Sequence, residues 1–172
     1  VGVAVTMARL RLPLVLLLVL TAQKSLLSDV DVRDIRPDAL LLLAVCAGLV
    51  GGSEVGAVVG FVAGLVADLF VLAPLGLSAL VFSLVGYAVG SFRSTLIREL
   101  WWMPPVASFL ASAGGVLLYA VLAAVVGQSQ FVRPQLLTTA LVVGLMNSVL
   151  SLAVIRLMGW AMASTTKERY AR

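Results

Sequence analysis

Apolar runs of membrane-crossing length recur along this chain, and most of its charged residues fall in the short breaks between them. A hydrocarbon layer about 30 Å thick takes roughly 20 apolar residues as helix, and within it every backbone N–H and C=O must be satisfied internally. Runs of this length select α-helices over the shorter alternating strands of a barrel. With 62% hydrophobic and only 12% charged residues, the chain has too little polar surface to coat a water-soluble globule. It therefore reads as one all-α integral membrane domain over residues 1–172, a bundle of six transmembrane helices.

The polar breaks place those helices at about residues 10–27, 37–51, 55–72, 77–90, 104–126 and 134–160. Proline placement supports this independently of hydropathy. Residues 13, 37, 74, 104, 105 and 134 are the six prolines, and each falls at or just before the start of a span, where the missing N–H is harmless. Ser53, after Gly51 and Gly52, reads as the N-cap of the third helix. Val1–Thr6 precede Met7-Ala-Arg-Leu-Arg, so the natural start is either Val1 or Met7. The run after Arg9 and Arg11 has no A-x-A cleavage pattern and reads as a retained helix rather than a signal peptide.

The net charge of +4 invites a nucleic-acid reading, but the basic residues sit mostly at the ends of apolar runs, where membrane topology explains them. With a cytoplasmic N-terminus, Arg9, Arg11, Arg93, Arg98, Arg156, Lys167, Arg169 and Arg172 lie inside, against Lys24, Arg33, Arg36 and Arg133 outside. The positive-inside rule thus places both termini in the cytoplasm. Arg93 and Arg98 are also candidates for a cytoplasmic partner contact. Trp101, Trp102, Trp160 and Tyr170 fit an inner aromatic belt, and Arg156 fits an anchor that snorkels.

Catalytic chemistry has little to work with. The chain contains no histidine, which removes the usual general base, zinc ligand and Ser-His dyad, and its one cysteine, Cys46, lies in an apolar run. No metal, cofactor or catalytic constellation is expected, and the protein reads as a non-enzyme.

The stretch Gly56 to Leu80 carries the strongest local signals. Gly56, Gly60 and Gly64 repeat every fourth residue on the third helix, a small-xxx-small face that lets another backbone approach closely. That face serves either internal helix packing or a partner protein. Asp68 is a carboxylate within an apolar run, which costs about 2.5–3.5 kcal/mol at mid-membrane and so demands a partner. Counting 1.5 Å per residue places Asp68 about 20 Å along its helix, and Lys24 about as deep along the first. An Asp68–Lys24 pair organising the outer part of the bundle is the leading expectation. The alternative is bonding of Asp68 to Ser78, to Ser83 or to free amides at the start of the fourth helix. Pro74 and Gly76 mark the intervening turn, and Asn147 and Ser148 are expected to bond across helices from mid-span.

Several segments together carry a resemblance. Arg36-Pro37-Asp38 leads into an apolar helix. Gly60-Phe61-Val62-Ala63-Gly64-Leu65-Val66-Ala67-Asp68-Leu69-Phe70, Pro74-Leu75-Gly76-Leu77-Ser78-Ala79-Leu80 and Gly86-Tyr87 follow in order. This series resembles the rod shape-determining MreD family, with the specific motifs falling between Arg36 and Gly90. The resemblance implies a multi-pass protein of the bacterial inner membrane and of the cell-elongation machinery, without catalytic activity. It also implies association, direct or indirect, with an MreC-like bitopic protein, an MreB-type cytoskeleton, a RodA-type polymerase and a class B penicillin-binding protein during lateral peptidoglycan synthesis. A further implied likeness is to the six-helix substrate-binding subunits of energy-coupling-factor vitamin transporters. The expected function is a non-enzymatic membrane scaffold. The alternative is a small-molecule, vitamin-type binding subunit, which needs several convergent polar or aromatic groups within the bundle. Lys24, Asp68, Asn147 and a few hydroxyls are nearly all the chain offers at depth.

Overall fold

The helix with no polar face is the one the others surround. In the computed structural model, which describes residues 14–21, 38–70, 75–93, 102–127 and 135–169 (side chains of the last segment to residue 161), every regular element is a helix. In chain order these are α1 (residues 14–21), α2 (Ala39–Gly51), α3 (Ser53–Asp68), α4 (Leu77–Ser91), α5 (Met103–Val125) and α6 (Leu136–Arg169). The α2 sequence, ALLLLAVCAGLVG, is apolar all round, and every residue from Ala39 to Leu49 is buried. A helix apolar on all sides stabilises itself only by burying all sides. The helices α3, α4, α5 and α6 all pack against it, and Val15 and Val19 of α1 join the same core.

Polarity runs opposite to that of a water-soluble protein. Phe61, Leu80, Leu84, Leu110, Leu145 and Val149 are exposed, whereas Asp68, Ser78, Ser108, Ser112, Asn147 and Ser151 are buried. A solvent that tolerates this surface is hydrocarbon. On α6 the outward stripe Leu137, Leu141, Leu145, Val149 and Leu152 recurs at three- and four-residue steps, as one lipid-facing side of a helix requires.

Helix lengths divide the elements into two groups. The 23 residues of α5 and the 26-residue apolar part of α6, Leu136–Ala161, are long and apolar enough to cross a membrane. By contrast α2, α3 and α4 hold 13, 16 and 15 residues, about 20–24 Å of helix each, short of a full hydrocarbon span. The first two are about two residues shorter than the expected 37–51 and 55–72, whereas α4 matches the expected 77–90 to within a residue.

The α2/α3 corner departs from expectation at Ser53, which is already helical. Gly52 alone joins the two helices, at φ 91° and ψ −177°, a backbone that a residue with a Cβ rarely adopts. The prolines of α5 behave as expected, since Pro104 and Pro105 fall in its first turn.

Cys46 sits fully enclosed in the middle of α2. A membrane-permeant maleimide is expected to leave it unlabelled in the folded protein and to label it once the bundle is unfolded in denaturing detergent. Rapid labelling of the native protein would contradict an enclosed α2.

Candidate functional site

The glycine face of α3 is turned onto α4. A Cβ added at Gly60 would fall 2.6 Å from the carbonyl carbon of Phe82, and one at Gly64 would fall 2.5 Å from the Cα of Ala79. Carbon atoms normally approach no closer than about 3.5 Å, so only hydrogen fits at these positions. At Gly56 three backbones meet, because a Cβ there would lie 2.8 Å from Gly48 of α2 and 2.8 Å from the carbonyl carbon of Gly86 of α4. Gly90 completes the series against the backbone of Ser53. Gly56, Gly60 and Gly64 thus lie against backbone of the same chain. Gly86 and Gly90 are the answering positions on α4, legible in retrospect from their own four-residue spacing.

At the far end of the same helix pair Asp68 closes the hairpin. The carboxylate is 2% exposed, at the last residue of α3. Its Oδ2 accepts from the N–H of Gly76 at 2.7 Å and of Ala79 at 3.5 Å, and its Oδ1 from the N–H of Ser78 at 3.2 Å. These are first-turn donors of α4, which have no partner within their own helix. Gly76, at φ 99°, sits at the N-cap position and has no side chain to cap with, so Asp68 supplies the cap from the preceding helix. Of the partners the sequence allowed, the amides at the start of α4 are the ones observed. Lys24, Pro74 and Arg98 lie outside the described residues.

A second polar cluster joins α2, α5 and α6. Asn147 is fully buried, and its Nδ2 donates to the Asp38 carbonyl oxygen and to Ser112 Oγ, both at 3.0 Å. Ser148 donates to the Pro105 carbonyl at 2.9 Å, so both mid-span residues of α6 bond across helices as expected. The Asp38 carboxylate accepts from the N–H of Leu41 at 3.0 Å and caps α2. Through Asn147, which bonds both Asp38 and Ser112, the start of α2 is held beside the middle of α5 and α6. Non-helical backbone at that depth is tolerated where protein encloses it and its polar groups are bonded.

One face of α5, carrying Ser108, Ser112, Gly115 and Tyr119, links the two clusters. Gly115 meets Leu41 of α2, and Tyr119 and the Ser78 side chain share a hydrogen bond. The steps of four, three and four residues were available in the sequence as a signal, but single serines in an apolar run are weak ones. Arg93 is exposed at the end of α4, with its guanidinium above Gly52, and Arg156 is exposed on α6. A cavity of about 280 Å³ between α1, α2, α3 and α6 is walled by apolar side chains including Val15, Leu43, Val59, Val62 and Met158. Among the described residues no group of three or more His, Cys, Asp or Glu is placed to hold a metal.

Lipid-facing apolar surface, a glycine-lined helix pair and polar side chains bonded inside the bundle define a helical membrane protein whose interior residues serve helix packing. A family profile described as rod shape-determining protein MreD matches residues 6–159, and the chain belongs to that family. Comparison with curated proteins and with solved structures gives no significant match.

Proposed function

We propose that this protein is a non-enzymatic, multi-pass scaffold of the bacterial inner membrane that supports rod shape and lateral peptidoglycan synthesis by holding partner membrane proteins. Membership of the rod shape-determining family over residues 6–159 carries this reading. In it the chain has both termini in the cytoplasm. It engages an MreC-like bitopic protein and, directly or through it, an MreB-type cytoskeleton, a RodA-type polymerase and a class B penicillin-binding protein. Exposed Arg93, with Arg98, offers a cytoplasmic contact.

The disposition of the interior supports a scaffold over a carrier. Asp68, Asn147 and Ser148 are engaged in bonds that join helices of the same chain, and the cavity near α1 has apolar walls. A carrier of a polar metabolite instead needs convergent polar groups directed into a pocket. The glycine face is also occupied internally, so among the described residues the surfaces open to partner helices are the outward stripes of α1 and of α3 to α6.

Gentle solubilisation followed by affinity purification of the tagged full chain tests the reading. Co-purification of a bitopic membrane protein, and loss of rod shape on depletion, are the expected results. Recovery of the chain alone, with a retained small ligand and ligand-dependent thermal stabilisation, would overturn it in favour of the carrier.

A further inference from the structure

Two buried polar atoms, Asn147 Oδ1 and Ser108 Oγ, have no hydrogen-bond partner among the described residues. Both side chains are completely enclosed. The orientation of the amide is set by its neighbours, because the Asp38 carbonyl only accepts and therefore must face the NH2 edge of Asn147. The Oδ1 edge is then the one left over.

The neighbouring bonds bring Ser108 to the same seam, since Ser148 bonds Pro105, Asn147 bonds Ser112, and Ser108 falls between Pro105 and Ser112 on α5. Ser108 and Ser112 stand one turn apart on one side of α5, as Asn147 and Ser151 do on α6. Ser151 Oγ donates to the Ser148 carbonyl at 2.6 Å and keeps its lone pairs for accepting. Four buried polar side chains thus share one seam, and two of their atoms, Asn147 Oδ1 and Ser108 Oγ, lack partners among the described residues.

Groups left unpaired in an interior surrounded by hydrocarbon are strongly unfavourable, and folded proteins satisfy such groups with internal water. Water offers two donors and two acceptors, and with bonds of about 2.8 Å it bridges oxygens roughly 4.5–5 Å apart. We propose that the α5/α6 seam binds one resident water molecule, which donates to Asn147 Oδ1 and bonds with Ser108 Oγ. The water completes the clamp that holds the start of α2, through the Asp38 carbonyl, against α5 and α6.

Ser108→Ala in the full chain, reconstituted in nanodiscs, separates this from a dry seam. With the water, removing the hydroxyl breaks a hydrogen bond and shifts the unfolding equilibrium roughly three- to tenfold toward the unfolded state. That shift shrinks in an Asn147→Ala background, because both variants disrupt the same bridge. A neutral or stabilising Ser108→Ala, or additive effects of the two variants, would overturn the proposal, since deleting a truly orphaned hydroxyl relieves the fold. Water-edited solid-state NMR of the native protein gives a second reading that does not depend on Asn147→Ala folding. A water cross-peak at Ser108 and the Asn147 amide, lost in Ser108→Ala, is expected, and its absence from the native protein would equally overturn the site.

Discussion

Substituting Gly60 by alanine is expected to destabilise the α3/α4 pair by about 1–3 kcal/mol, the range for overpacking a tight contact, and leucine there is expected to prevent the pair from closing. The reason is positional. A Cβ at Gly60 meets the Phe82 carbonyl carbon at 2.6 Å, and backbone cannot rotate aside as a side chain can. Gly159 of α6 provides the control with opposite sign, because nothing lies within 4 Å of its added Cβ. Alanine at Gly159 is expected to be neutral or to stabilise by up to about 1 kcal/mol through helix propensity. Unfolding midpoints of the two variants in the same detergent check this. Equal effects at both positions would mean that α3 and α4 are not in backbone contact.

Removing the Asp68 carboxylate is the second large effect. Asp68→Ala leaves first-turn N–H groups of α4 buried without acceptors and is expected to lose about 2–4 kcal/mol, combining loss of a cap with unsatisfied buried donors. Asp68→Asn keeps one acceptor oxygen and should retain part of that stability. The local readout is amide hydrogen exchange. Gly76 and Ser78 should lose protection in Asp68→Ala while the α5/α6 seam does not. Unchanged exchange at Gly76 and Ser78 would show that the carboxylate does not cap α4. The two predictions concern the middle and the tip of one hairpin, since the glycines set its spacing and Asp68 holds its tip.

Much of this architecture was legible because lipid imposes simple rules. The helical class followed from run length, and the breaks near Gly52, Gly76 and Pro104 followed from turn chemistry. Asp68 stood out because a carboxylate in an apolar run is expensive, and Gly56, Gly60 and Gly64 because their spacing marks a face. Other features were not legible, for physical reasons. A carboxylate is satisfied equally well by an ammonium group or by free amides, so composition alone could not single out the amides at the start of α4 as partners of Asp68. The partner of a glycine face depends on which helix approaches it, and the four-residue spacing of Gly86 and Gly90 marks a second small-residue face without saying which helix it meets. The bond at the start of α2 had no local signal either, because the Asp38 carbonyl is taken by Asn147, 109 residues away.

The sequence by itself determined what kind of solvent surrounds this protein and which residues need an internal answer. Hydrophobic content, helix-length runs, one mid-run carboxylate and a glycine ladder are one-dimensional facts, and each has a local physical consequence. Only the tertiary structure decided how those needs are met. Asp68 caps the helix that follows its own, the α3 glycines close on Gly86, Phe82 and Ala79, and α2 takes the centre with its N-cap residue, Asp38, bonded to α6. Such choices depend on the relative placement of helices, which short-range propensity does not encode, and in lipid close packing and polar bonding are what select among the placements.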